Sequence, residues 1–221
     1  MFLSRLILDP RSRQVMGEMA HPYEMHRTLM RAFPKATDET KLKARDEFGV
    51  LFRADVDDPG SVVNVLVQSL VEPDWSFLNG LDYLCMDTDL PECEHKDIMP
   101  ACRNIQNGRR LRFRLRANVC KRVGDKSDPL FGKRVALYSE EAQRAWLSGR
   151  GREGGFEPLE ISVGNQGEVR SRKNGRHVIH FGVTFAGTLR VSDSHALVET
   201  MRKGIGPAKA FGFGLLSLAR A

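Results

Sequence analysis

Apolar and polar residues alternate along this chain in short runs, separated by turn-forming residues. Phe2–Leu8 is the first such run, a strand rich in Leu and Ile that Asp9-Pro10 closes. A polar linker leads to Pro22, suited to a helix start, and Pro34 stops the segment that follows. Between the prolines Met25, Leu29, Ala32 and Phe33 share one side of a helical wheel, the predicted core face. Tyr23, His26, Arg27, Met30 and Arg31 share the other side, an expected exposed stripe. Thr37–Glu47 is charged and reads as an exposed helix or loop. Gly49–Ala54 and Val62–Val71 read as strands, joined by a turn at Asp57–Ser61. Glu72-Pro73-Asp74-Trp75 breaks the pattern, and residues 82–108 show no clear period.

The strongest strand signal is Arg109–Val123, where Leu111, Phe113, Leu115 and Ala117 alternate with Arg110, Arg112, Arg114 and Arg116. One face packs and the other presents a ladder of guanidiniums. Ser139-Glu140-Glu141 starts a helix running through Trp146 to about Leu147, and Gly149–Gly155 reads as a flexible basic loop. Leu159–Val163 and Gly167–Lys173 give strand signals, Asn174-Gly175 is a hairpin turn, and the return strand runs from His177 to Val191. Ser194–Lys203 reads as a helix. A loop with glycines at 204, 206, 212 and 214 follows it and leads to a short buried strand, Leu215–Leu218. Two successive β-α-β-β-α-β patterns result. They predict an α+β protein of two tandem ferredoxin-like domains with antiparallel sheets, at 1–95 and 109–221, joined by a linker at 96–108.

Charge sharpens that picture. The 221 residues carry 34 Lys and Arg against 28 Asp and Glu, a net charge of +6. Positive residues gather at Arg103–Arg122, Arg144–Arg152, Arg170–Arg176 and Arg202–Lys209, a distribution that suits a polyanionic partner. No stretch approaches the roughly 18 apolar residues of a membrane span. The opening MFLSRLILDP is too short and charged for a signal peptide, so a cytoplasmic protein with free thiols at Cys85, Cys93, Cys102 and Cys120 is expected. Cys93, His95 and Cys102 lack the paired spacing of a zinc site, and neither metal nor cofactor is expected.

Two stretches bear chemistry. Positive-φ glycines bring backbone N–H groups close to a ligand, so the loop around Gly204, Gly206 and Lys209 suits an anion. As a bare pattern it reads first as a tight helix-to-strand connection with glycines for packing. The Tyr23/His26 stripe suits strand cleavage of RNA, because an imidazole moves protons near neutrality and guanidiniums steady a phosphate. RNA supplies its own nucleophile, the 2′-hydroxyl. The wheel alone favours a solvated helix face that happens to carry a histidine.

Taken together, GIGPAKAFGFGLLSLAR, PYEMHRTLMRAF, EPDW and RLRFRLRAN resemble, in order along nearly the whole chain, the CasE family of CRISPR RNA-processing endoribonucleases of the type I-E Cascade system. The resemblance implies a metal-independent endoribonuclease that binds the stem-loop of CRISPR repeats, cuts precursor RNA by 2′-hydroxyl attack and stays in Cascade with the guide RNA. It implies that His26 is the main catalytic residue and that Tyr23 assists. Arg27 and Arg31 would meet the cleaved phosphate, with Lys209 beside them. The basic hairpin of Arg170, Arg172, Lys173 and Arg176 would grip the stem. His177 and His180 read as structural or solvent-facing. Two alternatives remain: a non-catalytic RNA-binding subunit of the same architecture, and a metal-dependent nuclease built from distant carboxylates.

Overall fold

A computed structural model describes residues 1–34, 47–56, 62–86, 91–173 and 175–221, except for the Asn165 side chain. The charged stretch Thr37–Glu47, apart from Glu47, the Asp57–Ser61 turn and Asn174 of the hairpin turn lie outside the described residues.

Strand β1 (Phe2–Leu8) leads into α1 (Arg13–Ala20) and α2 (Pro22–Leu29), which ends in a 3₁₀ turn at Met30–Ala32. Strands β2 (Leu51–Asp55), β3 (Val63–Ser69) and β4 (Cys93–Asp97) join β1 in an antiparallel sheet of order β2-β3-β1-β4. After the short helix α3 (Met99–Arg103) come β5 (Arg110–Asn118), a two-stranded ribbon of β6 (Cys120–Arg122) and β7 (Arg134–Ala136), and α4 (Glu140–Glu153). The chain ends with β8 (Phe156–Lys173), β9 (Arg176–Val191), α5 (Ser194–Lys203) and β10 (Leu216–Arg220), and the second sheet has the order β10-β5-β9-β8. Both orders are those of a ferredoxin-like sheet, in which each crossover lays its strand beyond an antiparallel neighbour.

The alternation in β5 decides the second core. Leu111, Phe113, Leu115 and Ala117 are buried against Leu147 of α4, Leu197 and Met201 of α5, and Val183, Phe185 and Leu189 of β9. Arg110, Arg112 and Arg114 stand exposed on the other face. In the first core Met25 and Leu29 of α2 pack with Leu6, Leu8, Phe52, Val65 and Val67.

The structure corrects the sequence reading in four places. Residues 13–20, expected as a linker, form α1. It buries a carboxylate beside Val15, and Glu18 accepts hydrogen bonds from Thr28, Tyr83 and Gln14 at 2.6–2.8 Å. The loop expected at Gly149–Gly155 is mostly the last turns of α4. Gly151 is there because the helix touches the start of β8, where a Cβ would stand 2.5 Å from the Phe156 carbonyl oxygen. The second crossover of the first sheet carries a 3₁₀ turn, Ser76–Leu78, where the pattern promised a helix. The stretch 96–108, expected as a linker, contains the end of β4 and all of α3, and Cys102 is buried in the second core.

The two sheets meet through polar contacts. Arg53 Nε on β2 donates to Asp55 Oδ2 at 2.7 Å, and Arg53 Nη1 donates to Ser217 Oγ at 2.9 Å and the Arg114 carbonyl at 3.3 Å. Arg114 pairs with Asp55 Oδ1 at 3.0 Å. Gln68 Nε2 of β3 donates to the Met201 carbonyl at 2.6 Å. Among the described residues no helix is long and apolar enough to cross a membrane.

Candidate active site

A cleft of about 670 Å³ opens where α2, β2, the β8–β9 hairpin and the loop after α5 converge. His26, Lys173, Lys203, Lys209, Gly206 and Arg202 line it, so both sheets contribute to one wall.

His26 is not on an exposed stripe: only 9% of the residue is accessible. The first turns of α2 are covered by the second sheet, a contact no helical wheel contains. The imidazole stacks on Phe52 of β2, with centroids 6.3 Å apart and planes at 14°, and His26 borders the cleft. Tyr23, one turn earlier, lies 6.0 Å from it. The Tyr23 ring stacks in turn on Phe211, at 5.5 Å and 30°. Its backbone N–H donates to Ser171 Oγ of β8 at 3.3 Å, which ties α2 to the hairpin.

The loop reaches the cleft through backbone conformations that side chains resist. Gly204, Gly206, Gly212 and Gly214 all have positive φ, between 71° and 93°. Ala208, at φ 63°, is the one non-glycine residue in that region among those described. A left-handed alanine costs on the order of 1–2 kcal/mol, and this one stands in the cleft wall. Lys209 folds back so that Nζ donates to the Lys203 carbonyl.

The cations divide into groups. In the antiparallel register Lys173 faces Arg176, Ser171 faces Val178 and Val169 faces His180. Directly paired residues share a face, so these six lie on the side that meets α2. Arg170 and Arg172 pair with Ile179 and His177 on the reverse side. Lys173 Nζ sits 5.5 Å above the Tyr23 ring, and Arg170 pairs with Glu168 at 2.8 Å. Arg27 and Arg31 lie outside the cleft wall. Arg27 pairs with Glu24 at 2.9 Å, and Arg31 lies 4.5 Å over the Phe77 ring. Neither arginine lines the cleft beside His26.

Sequence reasoning missed Phe52 and Phe211, which sandwich the Tyr23–His26 pair, and Arg202 and Lys203 at the end of α5. The two cations were visible as a basic cluster. The phenylalanines gave no signal, because each looks like an ordinary core residue. Of Cys93, His95 and Cys102, none takes part in a group of three possible ligands, and no such group occurs among the described residues. Burial and the neighbouring Glu92 and Glu94 push the Cys93 thiol up to about 11. The thiols of Cys85, Cys93, Cys102 and Cys120 are free.

A family model described as CRISPR associated protein matches residues 1–220. The CRISPR-associated endoribonuclease Cse3 of Thermus thermophilus is 38% identical over 99% of this chain and 100% of its own. The Cascade subunit CasE of Escherichia coli K12 is 32% identical over 89% of this chain and 91% of its own. The structure of Thermus thermophilus Cse3 bound to an RNA representing a pre-cleavage complex superposes with a TM-score of 0.79, at 35% identity, covering 99% of this chain and 98% of that one.

Proposed function

The chain belongs to the CRISPR-associated protein family that includes Cse3 and CasE, and on that premise we propose the path of its reaction. It is an endoribonuclease that binds the stem-loop of CRISPR repeat RNA, cuts the precursor and serves as a subunit of type I-E Cascade. In this reading cleavage needs no metal, since RNA supplies the nucleophile and side chains supply the charge and the proton transfer. The 2′-hydroxyl attacks the adjacent phosphorus and the bond to the 5′-oxygen breaks. The products are a 2′,3′-cyclic phosphate and a 5′-hydroxyl. One proton leaves the 2′-oxygen and one arrives at the 5′-oxygen, and His26 transfers one of the two.

Phe52 under the imidazole fixes its plane, and Tyr23 orients it or the ribose. Lys173 and Lys209, with the backbone N–H groups of the glycine loop, hold the charge that builds on the phosphorane oxygens. Arg170, Arg172 and Arg176 carry the stem by its phosphates. Arg27 and Arg31 act on flanking backbone, away from the reacting phosphorus. Two folding units, 1–95 extended to the end of β4 at Asp97 and 109–221, line the cleft together, and the protein works in the cytoplasm.

The observation that carries this reading is the convergence of His26, Lys173 and Lys209 on one cleft from separate parts of the fold. The test is His26→Ala with a labelled repeat hairpin in EDTA. Binding should persist while cleavage falls by about 10²–10⁴-fold, the usual scale of general acid–base catalysis. A single 2′-deoxy substitution at the cut site should block the wild type. Full cleavage by His26→Ala, or loss of wild-type cleavage in EDTA, would overturn the mechanism.

A further inference from the structure

We propose that His180 is a positioning residue for Tyr23, acting through Phe211. The inference rests on the reading of Tyr23 as the residue that assists His26. The rings form a file. His180 meets Phe211 edge-on, with centroids 4.5 Å apart and planes at 66°. Phe211 stacks on Tyr23, Tyr23 lies beside His26, and His26 rests on Phe52. The last position, Phe52, is anchored in the first core. At the other end His180 is anchored in the second sheet, opposite Val169. Behind it Phe213 closes the space at 6.2 Å and 87°. Asn118 Nδ2 lies 3.2 Å from His180 Nδ1 and sets the rotation of the ring.

Phe211 needs such a support. It lines the cleft on one side and a second cavity, of about 360 Å³, on the other. Only 6% of Phe211 is accessible, so between the two cavities its ring is held by what touches its edges and faces. Tyr23 is one of those contacts and His180 is the other ring closest to it. Edge-to-face and offset stacks prefer these separations and resist tilting. The hairpin thus holds Tyr23 in three ways: Ser171 takes its backbone N–H, Lys173 sits over its ring, and His180 backs the phenylalanine against which that ring lies.

His180 does not meet the substrate cleft, which distinguishes it from His26. Its Nε2 is buried and has no hydrogen-bond partner among the described residues. A phenyl ring at this position therefore loses the Asn118 bond and the unpartnered nitrogen together, while keeping the edge that Phe211 packs on.

The test labels the full chain with 3-fluorotyrosine. The sequence has 3 tyrosines, so three fluorine resonances are expected, and Tyr23→Phe identifies one of them. In His180→Ala the Tyr23 resonance should move and broaden while that of Tyr83, inside the first core, stays. With enzyme in excess and saturating, the cleavage rate should fall about 10-fold, the scale of a sub-ångström misplacement, with the affinity for the repeat hairpin unchanged. His180→Phe should recover the rate to within about 3-fold and restore the resonance. His180→Leu fills the space without a ring edge and should behave as the alanine variant does, with less loss of volume. A Tyr23 resonance unmoved in both His180→Ala and His180→Leu, or a His180→Phe that recovers nothing, overturns the proposal. The fluorine measurement needs no RNA, so it is decided separately from the cleavage mechanism, which stands or falls on His26→Ala.

Discussion

Asp55 is where the two sheets can be unlocked with one substitution. Its carboxylate takes Arg53 Nε at 2.7 Å on one oxygen and Arg114 Nη2 at 3.0 Å on the other. Arg116 stands near enough that Asp55 favours its charged form against the opposing effect of burial. Two guanidiniums thus pair with one carboxylate and a third feels its charge, at a side chain only 14% exposed. Asp55→Asn keeps the shape and removes the charge. Arg53, with its side chain 4% exposed, then becomes a buried cation with only neutral acceptors: the Arg114 carbonyl, Ser217 Oγ and at most the single amide oxygen of the new side chain.

Removing one partner of a buried pair costs about 3–5 kcal/mol. Arg114 is 46% exposed and keeps much of its hydration, so the low end, about 3 kcal/mol, is expected. For a chain of this length that corresponds to a fall in Tm of about 6–12 °C. Calorimetry at pH 7 measures it. Because β2 also carries Phe52, the plane under His26, the variant should lose cleavage rate along with stability. A fall under about 2 °C, with cleavage unchanged, would refute the claim that this network holds the cleft walls together.

Replacing Arg170, Arg172 and Arg176 together by Ala should lower the slope of log affinity against log salt by about 2–3, since each phosphate contact contributes roughly 0.7–0.9. An unchanged slope would remove the hairpin from the RNA backbone. His180 makes a prediction about pH. Burial first, and then the charge of Lys173, holds its imidazole below the ordinary 6.5. Below pH 6.5 the unfolded chain binds a proton that the folded chain resists, so this contribution is complete above 6.5 and fades as pH falls. Between pH 7 and pH 5 the wild type should therefore lose more stability to urea than His180→Phe does, and parallel curves for the two proteins would refute it.

Local pattern was enough to determine much of this protein. The alternation of Leu111, Phe113, Leu115 and Ala117 with arginines specified both the strand and its buried face, because a pleated strand has only two faces. Pro22 marked the start of α2, and the two strand orders follow from the order of the elements along the chain. The glycine spacing indicated backbone of unusual conformation, and Gly204, Gly206, Gly212 and Gly214 have it. Tertiary structure alone decided the rest. Whether His26 faces water depends on the second sheet closing over α2. Which hairpin cations reach the cleft depends on register, which puts Lys173 beside Tyr23 and Arg172 on the reverse face. Glu18 could be buried in α1 only because Thr28 and Tyr83, from distant positions, bring hydrogen bonds to it. The physical reason is common to all three. A residue's own periodicity says which side it faces, whereas what covers that side is a contact between segments far apart in the chain.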